Sequence, residues 1–128
     1  MRKPEASFEN DLTRLAPFFG CEYEKIPDTK MINRYNRDMN REKKRPFDGV
    51  LVTPNGNFCI EAKVNSNKLM IHQEIIQDEI NKVNKSYFVL RKRIGKRRIN
   101  YQVEQDHNLI FETTEIENLF KFFKELEK

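Results

Sequence analysis

The stretch Phe47-Asp48-Gly49-Val50-Leu51-Val52-Thr53-Pro54-Asn55-Gly56-Asn57-Phe58-Cys59-Ile60-Glu61-Ala62-Lys63-Val64 decides the fold. Two apolar runs flank Pro54-Asn55-Gly56-Asn57. Asn-Gly between such runs is a strong hairpin signal, because both turn residues tolerate positive φ. With Asn55-Gly56 as a two-residue loop, Pro54 pairs with Asn57, Val50 faces Glu61 and Asp48 faces Lys63. Cross-strand partners share a sheet face, as do residues two apart on one strand. Asp48, Glu61 and Lys63 are therefore expected on one face. Phe47, Leu51, Phe58, Ile60, Ala62 and Val64 are expected on the other, apolar one.

Elements follow on both sides of this hairpin. Upstream, Phe8, Leu12, Leu15 and Phe19 recur at helical spacing, with Ser7 as a candidate N-cap and Gly20 as a stop. Residues Cys21 to Ile26 read as a strand. Residues 28 to 45 are polar, basic and poor in core candidates, and they read as a protruding loop or ribbon. Downstream, Leu69, Gln73, Ile76, Ile80 and Val83 share a helix face. Ser86 to Arg93 and Ile99 to Val103 read as strands around a turn at Gly95, and Leu109 to Phe111 as a further short one. Thr114 with Glu117 forms a capping box ahead of a helix lined by Ile116, Leu119, Phe120, Phe123 and Leu126. The order predicts an α/β fold, a mixed central sheet flanked by helices, within a single domain spanning residues 1–128.

Composition narrows the function. Net charge is +4, from 24 Lys and Arg against 20 Asp and Glu. Much of the excess is clustered: Arg34, Arg37, Arg41, Lys43, Lys44 and Arg45 in one stretch, and Arg91, Lys92, Arg93, Lys96, Arg97 and Arg98 in another. Two such clusters suit a polyanion, since each phosphate neutralised releases counterions. No apolar run reaches the length of a membrane span, and no signal-peptide pattern opens the chain. Cys21 and Cys59 lie in apolar strand-like stretches without metal-ligand spacing, so they read as buried free thiols in a reducing compartment. A cytoplasmic location is expected, or the host-cell cytoplasm for a phage-encoded chain.

Two carboxylates and an ammonium side by side amid apolar sequence are costly to bury without a counter-ion. Carboxylates, a backbone carbonyl and water together make a Mg²⁺ or Mn²⁺ site. The spacing alone also fits a surface ion pair of Lys63 with Asp48 or Glu61.

Asp48, then twelve residues, then Glu61-Ala62-Lys63 resembles the signature of the PD-(D/E)XK nucleases, with the acid opening a hairpin strand, Glu-x-Lys on the second strand and a helix after it. Within that superfamily the chain resembles Holliday junction resolvases of the RecU type and, more distantly, archaeal Hjc. Ser7-Phe8-Glu9 is similar to the family's N-terminal helix motif, Ile60-Glu61-Ala62-Lys63 to its Glu-Ala-Lys core, and His72-Gln73 to a His-Gln pair in the next helix. Leu109-Ile110-Phe111 and the Phe-rich last helix are similar to its C-terminal end. The aspartate departs from the RecU pattern: it directly precedes the glycine, as Phe47-Asp48-Gly49, where that family has Asp-Tyr-Asn-Gly.

The resemblance implies a restriction-endonuclease-like αβββαβ core and hydrolysis of DNA phosphodiester bonds, as in recombination and repair. It implies metal ligands at Glu9, Asp48, Glu61 and the backbone carbonyl of Ala62, with Lys63 and Gln73 completing the catalytic set. It places residues 28 to 45 where resolvases carry a stalk, so Arg34, Arg37, Arg41, Lys43, Lys44 and Arg45 are the expected DNA contacts. It further implies branched DNA as substrate and a homodimer. A phage, restriction or repair nuclease acting on other DNA or RNA, and a non-catalytic nucleic-acid-binding module, are the alternatives. His72 reads as a rim residue and His107 as a solvated turn residue.

Overall fold

The computed structural model describes residues 4–26 and 46–126. The basic stretch at 28–45, with Arg34, Arg37, Arg41, Lys43, Lys44 and Arg45, lies outside the described residues. Helix α1 spans Pro4–Leu15 and runs into a 3₁₀ turn, Ala16–Phe19. The strands are β1 (Glu22–Lys25), β2 (Gly49–Thr53), β3 (Gly56–Val64), β4 (Tyr87–Ile94), β5 (Ile99–Gln105) and β6 (Asn108–Thr113). Helix α2 (Ile71–Val83) joins β3 to β4, and α3 (Ile116–Glu125) follows β6. The strands form one sheet in sequence order. Every neighbour pair is antiparallel except β3 and β4, which run parallel. A parallel pair needs a crossover, and α2 is that crossover.

Both ends of α1 bear on the expected caps. The helix begins at Pro4, which needs no amide partner in a first turn, so Ser7 lies inside it and does not cap it. Gly20 ends the segment as expected, at φ 78°. At α3 the N-cap is Glu115, one residue later than the expected Thr114–Glu117 box, and it carries no side-chain cap; the preceding turn is closed by Thr113. The Thr113 hydroxyl accepts from the Glu115 amide at 3.2 Å and from Asn118 Nδ2 at 3.2 Å.

The hairpin register also differs. Thr53 pairs with Gly56, so Pro54 and Asn55 form the loop, and Val50 faces Cys59 rather than Glu61. Proline's fixed φ suits the first central turn position. The Thr53 hydroxyl donates to Gly56 O at 2.9 Å and accepts from the Asn55 amide at 3.2 Å, closing the turn there. The shift moves each partner by two positions, an even number, and so does not by itself turn any residue to the other face.

Helices α1 and α3 cover the apolar face. Phe8 and Leu12 of α1 and Leu119, Phe120 and Phe123 of α3 meet Tyr23, Leu51, Phe58, Ile60, Ala62, Val64, Phe88, Leu90 and Val103 from the sheet. The Phe-rich stripe of α3 is core: Phe123 meets Phe88 edge-on at 5.2 Å and Phe58 at 5.4 Å. Phe47 departs from the expected pattern. Its ring stands edge-on to Tyr87 at 6.3 Å, outside the cluster under α1 and α3. Tyr87 belongs to the other face, where its hydroxyl meets Glu61.

Helix α2 packs differently from its expected apolar stripe. Its fully buried positions are Gln77 and Asn81, while Ile71, Ile75 and Val83 are exposed. Asn81 donates to Tyr87 O at 3.3 Å and accepts from the Tyr87 amide at 2.9 Å. The helix thus docks on the sheet through Asn81, because the face beneath it is polar and a buried amide needs partners, while Gln77 lies beside it with Nε2 3.5 Å from His107 Nε2. Cys21 is buried and Cys59 half-buried, and they form no disulfide with each other.

Gly49 is where the backbone allows least. A Cβ there would lie 2.5 Å from Tyr23 Cζ and 2.7 Å from Glu24 O. Gly49→Ala is therefore expected to destabilise by about 1–3 kcal/mol as an overpacked site, or roughly 4–12 °C in Tm. Thermal denaturation checks this, and an unchanged midpoint would contradict the close approach of Tyr23.

Candidate active site

At the start of β2 the sheet ladder stops and a side chain takes over. The ladder's last pair at this end is Gly49 with Ile60. Beyond it, the Asp48 amide donates to Ile60 O at 3.0 Å, and the Ala62 amide donates to Asp48 Oδ2 at 2.8 Å. The Asp48 carboxylate therefore takes the place of a backbone carbonyl as the partner of β3. This holds an acid at the edge of the ladder, against β3.

Glu61 and Lys63 reach this region from β3, two positions apart and so on one face. Both are buried, at 2 % and 8 % exposure, as is Asp48 at 9 %. Gln73, in the first turn of α2, donates through Nε2 to Glu61 Oε2 at 2.7 Å, and its Oε1 accepts from the Met70 amide at 2.8 Å. One side chain thus caps the helix and orients the glutamate, which accounts for an amide at that position. His72 is half-buried on the same helix. His107 is largely exposed, 3.5 Å from Glu74.

Glu9 arrives from α1, 39 positions before Asp48 in the chain, and is 6 % exposed. Its Oε2 accepts from the Tyr23 hydroxyl at 2.6 Å. That hydroxyl is held protonated, its pKa raised by burial first, then by the charge and hydrogen bond of Glu9, then by Asp48 and Glu61. Tyr87 is raised in the same way, by burial first and then chiefly by Glu61 and Asp48. Two neutral tyrosines therefore serve as donors to the acids, and Tyr23 senses Glu9, Asp48 and Glu61 together. The tyrosines are the site residues that sequence reasoning missed. Tyr23 reads as one more alternating strand residue, and no local signal ties its hydroxyl to a helix.

The structure thus brings Glu9, Asp48, Glu61 and Gln73 into one neighbourhood, with Lys63 on the same strand as Glu61. Among the described residues, no three Asp, Glu, His or Cys side chains converge closely enough as they stand to hold a metal ion. Their bonds to Tyr23, Ala62 and Gln73 turn the carboxylates toward protein donors. The donor set nonetheless fits a hard divalent cation in kind: carboxylate oxygens gathered from separate parts of the chain, with the Ala62 carbonyl on the strand between Glu61 and Lys63.

Of the second basic cluster, two cations are structural. Arg91 is buried, pairs with Glu104 at 2.8 Å and donates to Asn65 O at 2.8 Å. Lys92 lies 3.6 Å from Asp11 of α1. Arg93, Lys96, Arg97 and Arg98 are exposed. No helix among the described residues is long and apolar enough to cross a membrane.

No protein-family model matches the sequence, and no curated protein matches it. Among solved structures, the chain is similar to Hjc, a Holliday junction resolvase from the archaeal hyperthermophile Archaeoglobus fulgidus. The TM-score is 0.51 with 13% sequence identity over 86% of each chain. The mixed six-stranded sheet with three helices is an α/β fold of the restriction-endonuclease-like kind that Hjc has.

Proposed function

We propose that this chain is a metal-dependent, structure-selective DNA endonuclease, acting on branched DNA as a Holliday junction resolvase and working as a homodimer. One observation carries the reading: three carboxylates from separate parts of the chain, Glu9, Asp48 and Glu61, are buried around one tyrosine, Tyr23, with Lys63 on the strand of Glu61. Gathering like charges out of water is costly, and a divalent cation offsets that cost. The resolvase-like fold supports the class of substrate.

Glu9, Asp48, Glu61 and the Ala62 carbonyl would hold Mg²⁺ or Mn²⁺, which supplies an acidified water and polarises the scissile phosphate. Tyr23 and Gln73 hold Glu9 and Glu61 beside the site, and these bonds would have to turn for the acids to converge on an ion. Lys63 presents its ammonium to the charge that develops on the phosphoryl oxygens. Arg34, Arg37, Arg41, Lys43, Lys44 and Arg45 supply phosphate contacts just ahead of the strand that follows Asp48. Cleavage of a two-fold junction on paired strands calls for two copies of the site, hence the dimer.

The test is a cleavage panel of labelled four-way junction, flap, duplex and single-stranded substrates with Mg²⁺ or Mn²⁺. Paired cuts on the junction are expected. Equal cutting of linear duplex replaces the resolvase reading with a restriction or repair nuclease. Binding without cutting under either metal leaves only a nucleic-acid-binding module.

A further inference from the structure

Strands β3 and β4 run parallel, with Lys63 beside Arg91 and Val64 beside Lys92. Strand β3 ends at Val64, while β4 continues through Arg93 and Ile94 before turning at Gly95 into β5. The β4–β5 hairpin therefore projects past the end of β3 on which Lys63 sits. Three residues from Arg91 to Ile94 carry it about 10 Å beyond the level of Lys63, at roughly 3.3 Å each.

The projection is basic. Arg93, Lys96, Arg97 and Arg98 crowd its end, all exposed. Arg93 shares its sheet face with Arg91 and hence with Lys63, and its Nε donates to Gln102 Oε1 at 2.8 Å. Glu112, on β6, accepts from Gln102 and Asn100 beside that row. Ile94 and Ile99 face each other across the hairpin and are 52 % and 37 % exposed. A hairpin that needs only solubility has no use for an exposed isoleucine pair among its cations. The pair lies on the opposite sheet face from Arg93, so the site's own face of the hairpin is left to cations and polar side chains, which suit the phosphates flanking a nucleic-acid groove.

We propose that the β4–β5 hairpin is a second DNA-contacting arm, separate from the basic stretch at 28–45, which grips backbone phosphates alongside the candidate active site. This rests on the nuclease reading for the direction of the DNA. With one phosphate per about 3.4 Å of each strand, the tip meets the backbone about three nucleotides from the phosphate at Lys63. Arg93 lies on the sheet face of Lys63, two residues beyond Arg91, so the arm's charge begins on the site's own face, which favours DNA over an anionic membrane.

The test is equilibrium binding of the full chain to labelled duplex and four-way junction across a salt series, with Ca²⁺ or EDTA so that cleavage does not intervene. The variant replaces Arg93, Lys96, Arg97 and Arg98 together by Gln, which keeps much of each stem. Thermal denaturation confirms that it folds. We expect the log–log salt slope to flatten by up to about 3.6 units, about 0.9 for each phosphate released. Affinity near 0.1 M salt should fall by roughly tenfold for each of those phosphates. An unchanged slope and affinity overturn the arm, whatever the cleavage result. So does a variant that loses binding to phosphatidylserine vesicles while binding DNA as before. A wild-type chain that binds DNA but cuts nothing with Mg²⁺ sinks the nuclease reading, and the slope still decides on the arm.

Discussion

Asp48→Asn and Glu61→Gln are each expected to abolish metal-dependent cleavage while leaving the fold in place. Each change removes one hard anionic ligand from the proposed metal site. Neither removes the acceptor the fold uses. In Asp48→Asn the new side-chain carbonyl can still accept from the Ala62 amide, and in Glu61→Gln it can still accept from Gln73 Nε2. Each also lessens the repulsion among three buried acids, so Tm should stay level or rise without metal, and DNA binding should hold or tighten. Single-turnover cleavage, thermal denaturation and metal titration by calorimetry check the three parts. If either variant cuts near the wild-type rate under Mg²⁺, the site is wrongly assigned. A large drop in Tm would show that these carboxylates serve the fold.

Lys63→Ala is expected to lose on the order of 10²-fold or more in the rate of cleavage, because in the proposed mechanism its ammonium meets charge that develops only in the transition state. Metal affinity should not fall, since a neighbouring cation opposes metal binding. Lys63 is only 8 % exposed, so the truncation also removes packed methylenes, and some stability should go with it. Single-turnover rates at saturating metal separate the two effects. A loss of metal affinity with no loss of rate would mean that Lys63 is a partner in an ion pair and no more.

Face assignment was legible because it depends on parity alone. Glu61 and Lys63 stand apart from Ile60, Ala62 and Val64 by strict alternation, and a register that shifted by two positions could not disturb that. Gln73 was singled out through the resemblance of His72-Gln73 to a His-Gln pair, and a buried amide calls for a partner; that the partner is Glu61 emerged only with the fold. Phe47 was not legible. It lies just before β2, where the ladder has ended, so alternation no longer governs it. The face of α2 escaped the sequence for a related reason. Helical spacing selects the apolar stripe as buried, but the sheet beneath α2 carries Glu61 and Tyr87, and Gln77 and Asn81 are the residues that suit it.

By itself the sequence determined the element order, the hairpin and the apolar face of β3, since all of these are set by spacing within a few residues. Only the tertiary structure decided which distant groups meet. The Tyr23 hydroxyl on Glu9 joins residues 14 positions apart, and the Glu9 carboxylate reaches the Asp48 neighbourhood from another element. The division of the second basic cluster into buried Arg91, paired Lys92 and an exposed tip belongs here too. In the sequence these six cations look alike. Packing separates them, because a cation is drawn inward only where an acid such as Glu104 or Asp11 from another element compensates its lost hydration.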